Sequence, residues 1–162
     1  MTIDRIDWHL EAITEEIPED EHYERAGAHI GYFLEWAYKK GFAPCNPDTN
    51  DVDECAKLVN SQRNGIQFLI ENCDTKFWNE DLNEEGQKFA SYAYDTYTQN
   101  LEAILAHGPY AEKYNHQDFT NVSHYLDKVY SEYLANPPHE PAKKEKQSFL
   151  QKLKGMLLQM VT

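Results

Sequence analysis

An all-α fold is predicted, a single-domain helical bundle with a C-terminal amphipathic helix. Three observations predict it. Apolar residues recur at i, i+3, i+4 and i+7 along several stretches. Those stretches end at glycine or proline. No segment alternates apolar and polar residues at period two over a useful length. The chain has 162 residues, the size of one domain, and its 41% hydrophobic and 13% aromatic content is too rich for disorder.

The first clear helix covers Ala26–Tyr38, with Ile30, Phe33, Leu34 and Ala37 on one face. Lys39 and Lys40 complement its negative end, and Gly41 supplies a left-handed stop. Upstream, Glu11–Ile17 reads as irregular chain or a short strand. Pro44, Asn46, Pro47 and Asp48 mark a loop, after which Asp51 or Asp53 can cap a short helix over Ala56–Val59. Another helix is expected over Gln67–Asn72. The strongest pattern starts at Asp81 or Asn83 as N-cap, with Glu84 and Glu85 in the first turn. Phe89, Tyr92, Ala93, Tyr97, Leu101, Ile104 and Leu105 keep one face apolar until His107-Gly108-Pro109. Val122, Tyr125, Leu126, Val129, Tyr133 and Leu134 repeat the spacing until Asn136-Pro137-Pro138.

This gives three parts: a helical domain over 1–135, a Pro- and charge-rich linker over 136–146, and an amphipathic helix over 147–161. That last helix can fold back on the bundle, dock on a partner, or pair with a second copy in a homodimer.

Charge is split by position. The last twenty residues hold five lysines and one glutamate, about +4; the whole chain is −13, which leaves −17 on residues 1–142. An acidic body repels phosphates, so neither nucleic acid nor an anionic membrane surface is an expected partner. It suits a basic protein, or simply solubility. No run approaches the roughly 20 apolar residues of a membrane helix, and the segment MTIDRIDWHLEAITEE lacks the basic start and apolar run of a signal peptide. Three cysteines without CxxC spacing (Cys45, Cys55, Cys73) fit reduced, buried thiols. A cytoplasmic protein without a cofactor is the expectation.

For chemistry, His9 and His29 lie beside aromatics, and with a carboxylate such as Glu35 they would suffice for a metal site with open positions. His29 can equally be a core histidine bonded to a carbonyl of the N-terminal segment. Cys73-Asp74-Thr75-Lys76 lacks the positioned base that nucleophilic catalysis needs, and Asp74, Asp81 and Lys76 suit a braced turn. No phosphate loop, GxSxG or HExxH is present. No catalytic residue is assigned, and a non-enzymatic protein is expected.

Several short motifs recur in one order: Asp7-Trp8-His9; Ala28-His29-Ile30-Gly31 with Phe33 and Trp36; Phe68-Leu69; Cys73-Asp74 and Lys76; Glu80-Asp81-Leu82; Gly86 and Phe89. They resemble a bacterial domain-of-unknown-function family of the DUF7832 type, over roughly residues 5–105. Thr75 departs from the glycine expected after Asp74, and Tyr92-Ala93-Tyr94 interrupts an expected Tyr-Tyr pair. The resemblance implies a shared fold and no established activity. In size and acidity it is similar to immunity proteins that neutralise bacterial toxins, an analogy only.

The leading expectation is therefore a protein-binding module, an immunity protein that blocks a cognate toxin or another basic protein. Its contact residues are sought among Glu15, Glu16, Glu19, Asp20, Glu21, Asp74, Glu80, Asp81, Glu84 and Glu85. Two alternatives stand beside it. One is a metal- or small-molecule-binding protein or enzyme with a site around His9 and His29. The other is an adaptor docking through the C-terminal helix.

Overall fold

The computed structural model describes residues 1–14, 16–44 and 51–138. The proposed linker beyond 138 and the helix over 147–161 lie outside them, as do Glu15 and Cys45. The element order is β1 (Thr2–Arg5), three single 3-10 turns, α1 (His22–Lys39), α2 (Asp51–Val59), α3 (Gly65–Asn72), β2 (Lys76–Trp78), a further 3-10 turn, α4 (Glu84–Gln99), α5 (Leu101–Ile104) and α6 (His116–Ala135). The fold is mostly helical, as the periodicity predicts. No helix among the described residues is long and apolar enough to cross a membrane. Residues Met1–Ser131 form one compact unit; the chain from Glu132 belongs to another.

α1 is the central helix of the first unit. It starts four residues before the predicted Ala26, and every residue from Ala26 to Tyr38 is buried. A helix buried on all sides has other elements around it. Its first turn needs no apolar periodicity, because Glu21 and Arg25 pair across it at 2.7 Å. Gly41, at φ +90°, ends it as the sequence predicts. α3 begins at an Asn64–Gln67 capping box. Asn83 caps α4 by accepting the Gly86 N–H at 2.9 Å, so the cap falls on Asn83 rather than Asp81. The core gathers Ile6, Phe33, Leu34, Leu69, Phe77, Phe89, Tyr97 and Leu126.

Two features depart from the sequence reading. The predicted continuous helix to Leu105 breaks at Asn100, whose side chain donates back to the Thr96 carbonyl while its own carbonyl accepts the Ala103 N–H. Local bonding of this kind competes with the helical ladder. The second is a strand pair where none was expected. β1 and β2 run antiparallel, pairing Asp4 with Phe77 and Arg5 with Lys76, with an irregularity between Thr2 and Asp4. Such irregularities re-aim side chains, and here Asp4 is buried. The described residues of the segment Glu11–Ile17 form no strand, and a 3-10 turn covers Leu10–Ala12.

Candidate functional site

The strand pair, one 3-10 turn and α1 bring three chemistry-bearing side chains together. In a 3-10 turn residues i and i+3 eclipse. Ile6, fully buried, therefore carries His9 inward, while Trp8 between them faces solvent. His29 comes from the buried length of α1 and is 2% exposed. Asp4 comes from β1.

Asp4 is the hub. Its Oδ1 accepts the Arg5 backbone N–H at 2.7 Å and faces His9 Nε2 at 2.7 Å. Its Oδ2 accepts the Tyr94 hydroxyl at 2.8 Å. His29 Nε2 approaches the same oxygen at 3.4 Å. That approach is an electrostatic contact without hydrogen-bond alignment, and neither ring nitrogen of His29 has a hydrogen-bond partner among the described residues. The two imidazoles meet edge to face, with ring centroids 4.5 Å apart. Tyr110 covers both, with its hydroxyl 2.9 Å from His9 Nδ1.

Tyr110 arrives on the loop after α5, at φ +66°. Two contacts fasten that loop to the start of α1: Arg25 donates to the Ala111 carbonyl, and Lys113 pairs with Glu21 at 3.2 Å.

The electrostatics follow from burial and proximity. Burial alone would raise the Asp4 carboxyl, but the His29 and His9 imidazoles outweigh it and hold Asp4 well below the usual carboxylate range. Burial pushes the His29 imidazole down, and Asp4 only partly offsets this. Burial also pushes the Tyr94 hydroxyl far up, so it stays protonated and donates to Asp4. The centre thus sets an ionised carboxylate against a buried imidazole whose charged form burial disfavours.

Of the sequence-predicted residues, His9 and His29 converge and Glu35 does not join them. Glu35 accepts the Gly65 N–H at 2.9 Å and pairs with Lys39 at 3.3 Å, so it is tied to the start of α3 instead. It borders a polar cleft of about 260 Å³ with Arg63, Asn64 and Tyr114. Six residues along α1, Glu35 lies about 120° away from His29 around the helix, so it cannot share the face of His29. Asp4, Tyr94 and Tyr110 were not singled out from the sequence.

The acidic residues fall in two places. Glu16, Glu19 and Asp20 are exposed before α1, with Glu21 turned to Arg25 and Lys113. Asp74, Glu80, Glu84 and Glu85 are exposed around β2 and the start of α4. Asp81 is half-buried and accepts the Trp78 N–H at 2.7 Å, which makes it a turn brace. Asp74 pairs with Lys76 at 2.6 Å, as the braced turn predicts.

The model of a domain of unknown function, DUF7832, matches residues 2–136. The chain belongs to this family. Searches of the curated proteins and of the solved structures found no match. The DUF7832 match spans β1 through α6, so Asp4, His9, His29 and Tyr110 all lie inside it. The resemblance drawn from motifs over residues 5–105 thus extends in both directions.

Proposed function

We propose that this DUF7832 domain is a non-enzymatic protein-binding module for a basic partner, in its most specific form an immunity protein that blocks a cognate toxin by direct binding. The observation that carries this reading is the surface around the β1–β2 pair. Trp36 is buried at 3% exposure, whereas Trp78 on β2 and Trp8 in the turn after β1 are 38% and 57% exposed. Exposed tryptophans beside charge are the residue type that anchors protein interfaces. Asp7, Asp74 and Glu80 stand around them, and the nearby cations Arg5 and Lys76 are already bonded to Asp7 and Asp74.

The same pattern runs through the unit. Arg25, Lys39, Lys40, Lys57, Arg63, Lys88 and Lys113 each pair with a carboxylate, so the surplus of acid is left to set the outer field. Such a field steers a basic partner into encounter, and the tryptophans then limit its escape.

Affinity capture with the full chain from toxin-expressing cells at low salt, followed by binding of the purified components, tests this. The expected result is one stoichiometric basic partner. Its association rate should fall about tenfold or more between low and high salt, and its dissociation should quicken when Trp8 becomes Ala. No stoichiometric partner, or a partner indifferent to both salt and Trp8, would overturn the proposal.

A further inference from the structure

We infer that Asp4, His9 and His29 form a mononuclear site for a divalent transition metal of the zinc class, with two imidazoles and one carboxylate as ligands. The inference is independent of the protein-binding reading.

One donor atom from each of the three residues lies within 4.8 Å of the other two. His9 Nε2 stands 2.7 Å from one Asp4 oxygen and His29 Nε2 3.4 Å from the other. Bonds of roughly 2.0–2.1 Å in tetrahedral geometry set neighbouring ligand atoms about 3.4 Å apart. The His29–Asp4 pair already has that spacing, and His9 must shift until its own distances, none above 4.8 Å, match it. Side-chain movement suffices, because His9 is 21% exposed and lies at the end of a short turn.

A second observation points the same way. His29 is buried and without a hydrogen-bond partner for either ring nitrogen among the described residues. A buried polar group left unsatisfied costs free energy, and native folds rarely keep one without a use for it. A metal ion bound at Nε2 satisfies that nitrogen where a carboxylate at 3.4 Å does not.

The surroundings suit ligation. Metal-bound carboxylates and imidazoles are usually held by an outer layer of hydrogen bonds. Asp4 has the Arg5 N–H and the Tyr94 hydroxyl in that layer. His9 has Tyr110. While His9 donates from Nε2 to Asp4, its Nδ1 accepts from the Tyr110 hydroxyl. When an ion takes Nε2, the imidazole keeps one proton, now on Nδ1, and donates it to the Tyr110 oxygen. Tyr110 serves both tautomers without moving, so it is a positioning residue.

The donor set selects the ion. Calcium and magnesium require several oxygen ligands, and this centre offers one carboxylate. Two imidazoles with a carboxylate suit zinc, iron(II), cobalt(II) and nickel(II). Three protein ligands leave a fourth position for water or an exogenous anion.

The test uses the full chain without an affinity tag, stripped by a chelator and titrated with Zn²⁺ and with Co²⁺. One equivalent of Zn²⁺ should bind with submicromolar affinity and raise the melting temperature. Co²⁺ should give visible d–d bands that Zn²⁺ bleaches. His9→Gln should weaken binding at least 100-fold and Tyr110→Phe about 10-fold. His9→Gln changes a partly exposed side chain, and a melting curve of the metal-free variant checks its folding. No saturable binding by the native chain would refute the site without recourse to any variant. Stoichiometric binding unchanged in a folded His9→Gln would refute it equally.

Discussion

Gly65 packs so closely on Gly31 that a Cβ on Gly65 would stand 1.9 Å from the Gly31 carbonyl oxygen. In the other direction, a Cβ on Gly31 would meet the Ile66 backbone nitrogen at 2.5 Å. These are backbone atoms, so no side-chain rotation relieves the clash. The crossing of α1 and α3 therefore depends on two residues without side chains. Glu35, one turn beyond Gly31, reaches the Gly65 N–H only because of this approach.

Gly31→Ala should therefore destabilise the protein, against the helix preference that favours alanine by about 1 kcal/mol. Forcing two backbones apart costs about 2–3 kcal/mol or more, so the net effect is a loss of at least about 1–2 kcal/mol. Chemical denaturation of the two proteins side by side measures this. A stabilised Gly31→Ala protein would show that the helices do not meet here.

The turn between α3 and β2 should improve with the opposite change. Asp74 and Thr75 both sit at positive φ, +50° and +59°. For a β-branched residue this is a strained backbone. The strain is held in place from both sides, since the Thr75 N–H donates to the Leu69 carbonyl and its own carbonyl accepts the Ile6 N–H. Thr75→Gly relieves the strain while keeping both bonds, at the cost of a more flexible unfolded chain. The balance favours glycine by about 1 kcal/mol, an increase of about 3 °C in melting temperature. An unchanged or lower melting temperature would place the strain elsewhere.

The helices were legible because their signals are local. Ile30, Phe33, Leu34 and Ala37 mark α1 within a single window, and Gly41 and Asn83 end and start helices by their own backbone and side-chain chemistry. The β1–β2 pair was not legible. Four residues cannot establish a period-two pattern, and their partner strand lies more than seventy positions away. That omission hid the site as well. His9 and His29 stood out by type, but the carboxylate between them arrives by strand pairing and not by proximity in sequence. Glu35 shares a helix with His29 yet turns to α3, whereas Asp4 on another element makes the contact. Tyr110 comes on a loop whose path is set by Arg25 and Lys113, and nothing local to Tyr110 encodes that.

Asp81 should give the protein a pH dependence of identifiable sign. Burial, with the Glu80 charge as a smaller contribution, pushes its carboxyl up to about 6, although the Trp78 N–H hydrogen bond works against this. The unfolded value is about 3.9. A folded value above the unfolded one means that ionisation opposes folding. Above pH 6 Asp81 therefore carries a penalty, which is relieved as the pH falls from about 6 towards 4. Partial exposure screens the effect, leaving about 1–2 kcal/mol. Asp81→Asn keeps an oxygen for the Trp78 N–H and removes the charge. Its stability should exceed that of the native chain by this amount at pH 8, and the advantage should vanish near pH 4. Taking the difference between the two proteins cancels groups of opposite sign such as Asp4, whose lowered carboxyl supports folding above about pH 4 and loses that support in acid. Urea unfolding at pH 8, 6 and 4 gives the three differences needed. A difference that stays constant across them would mean that Asp81 is ionised in the fold at no cost.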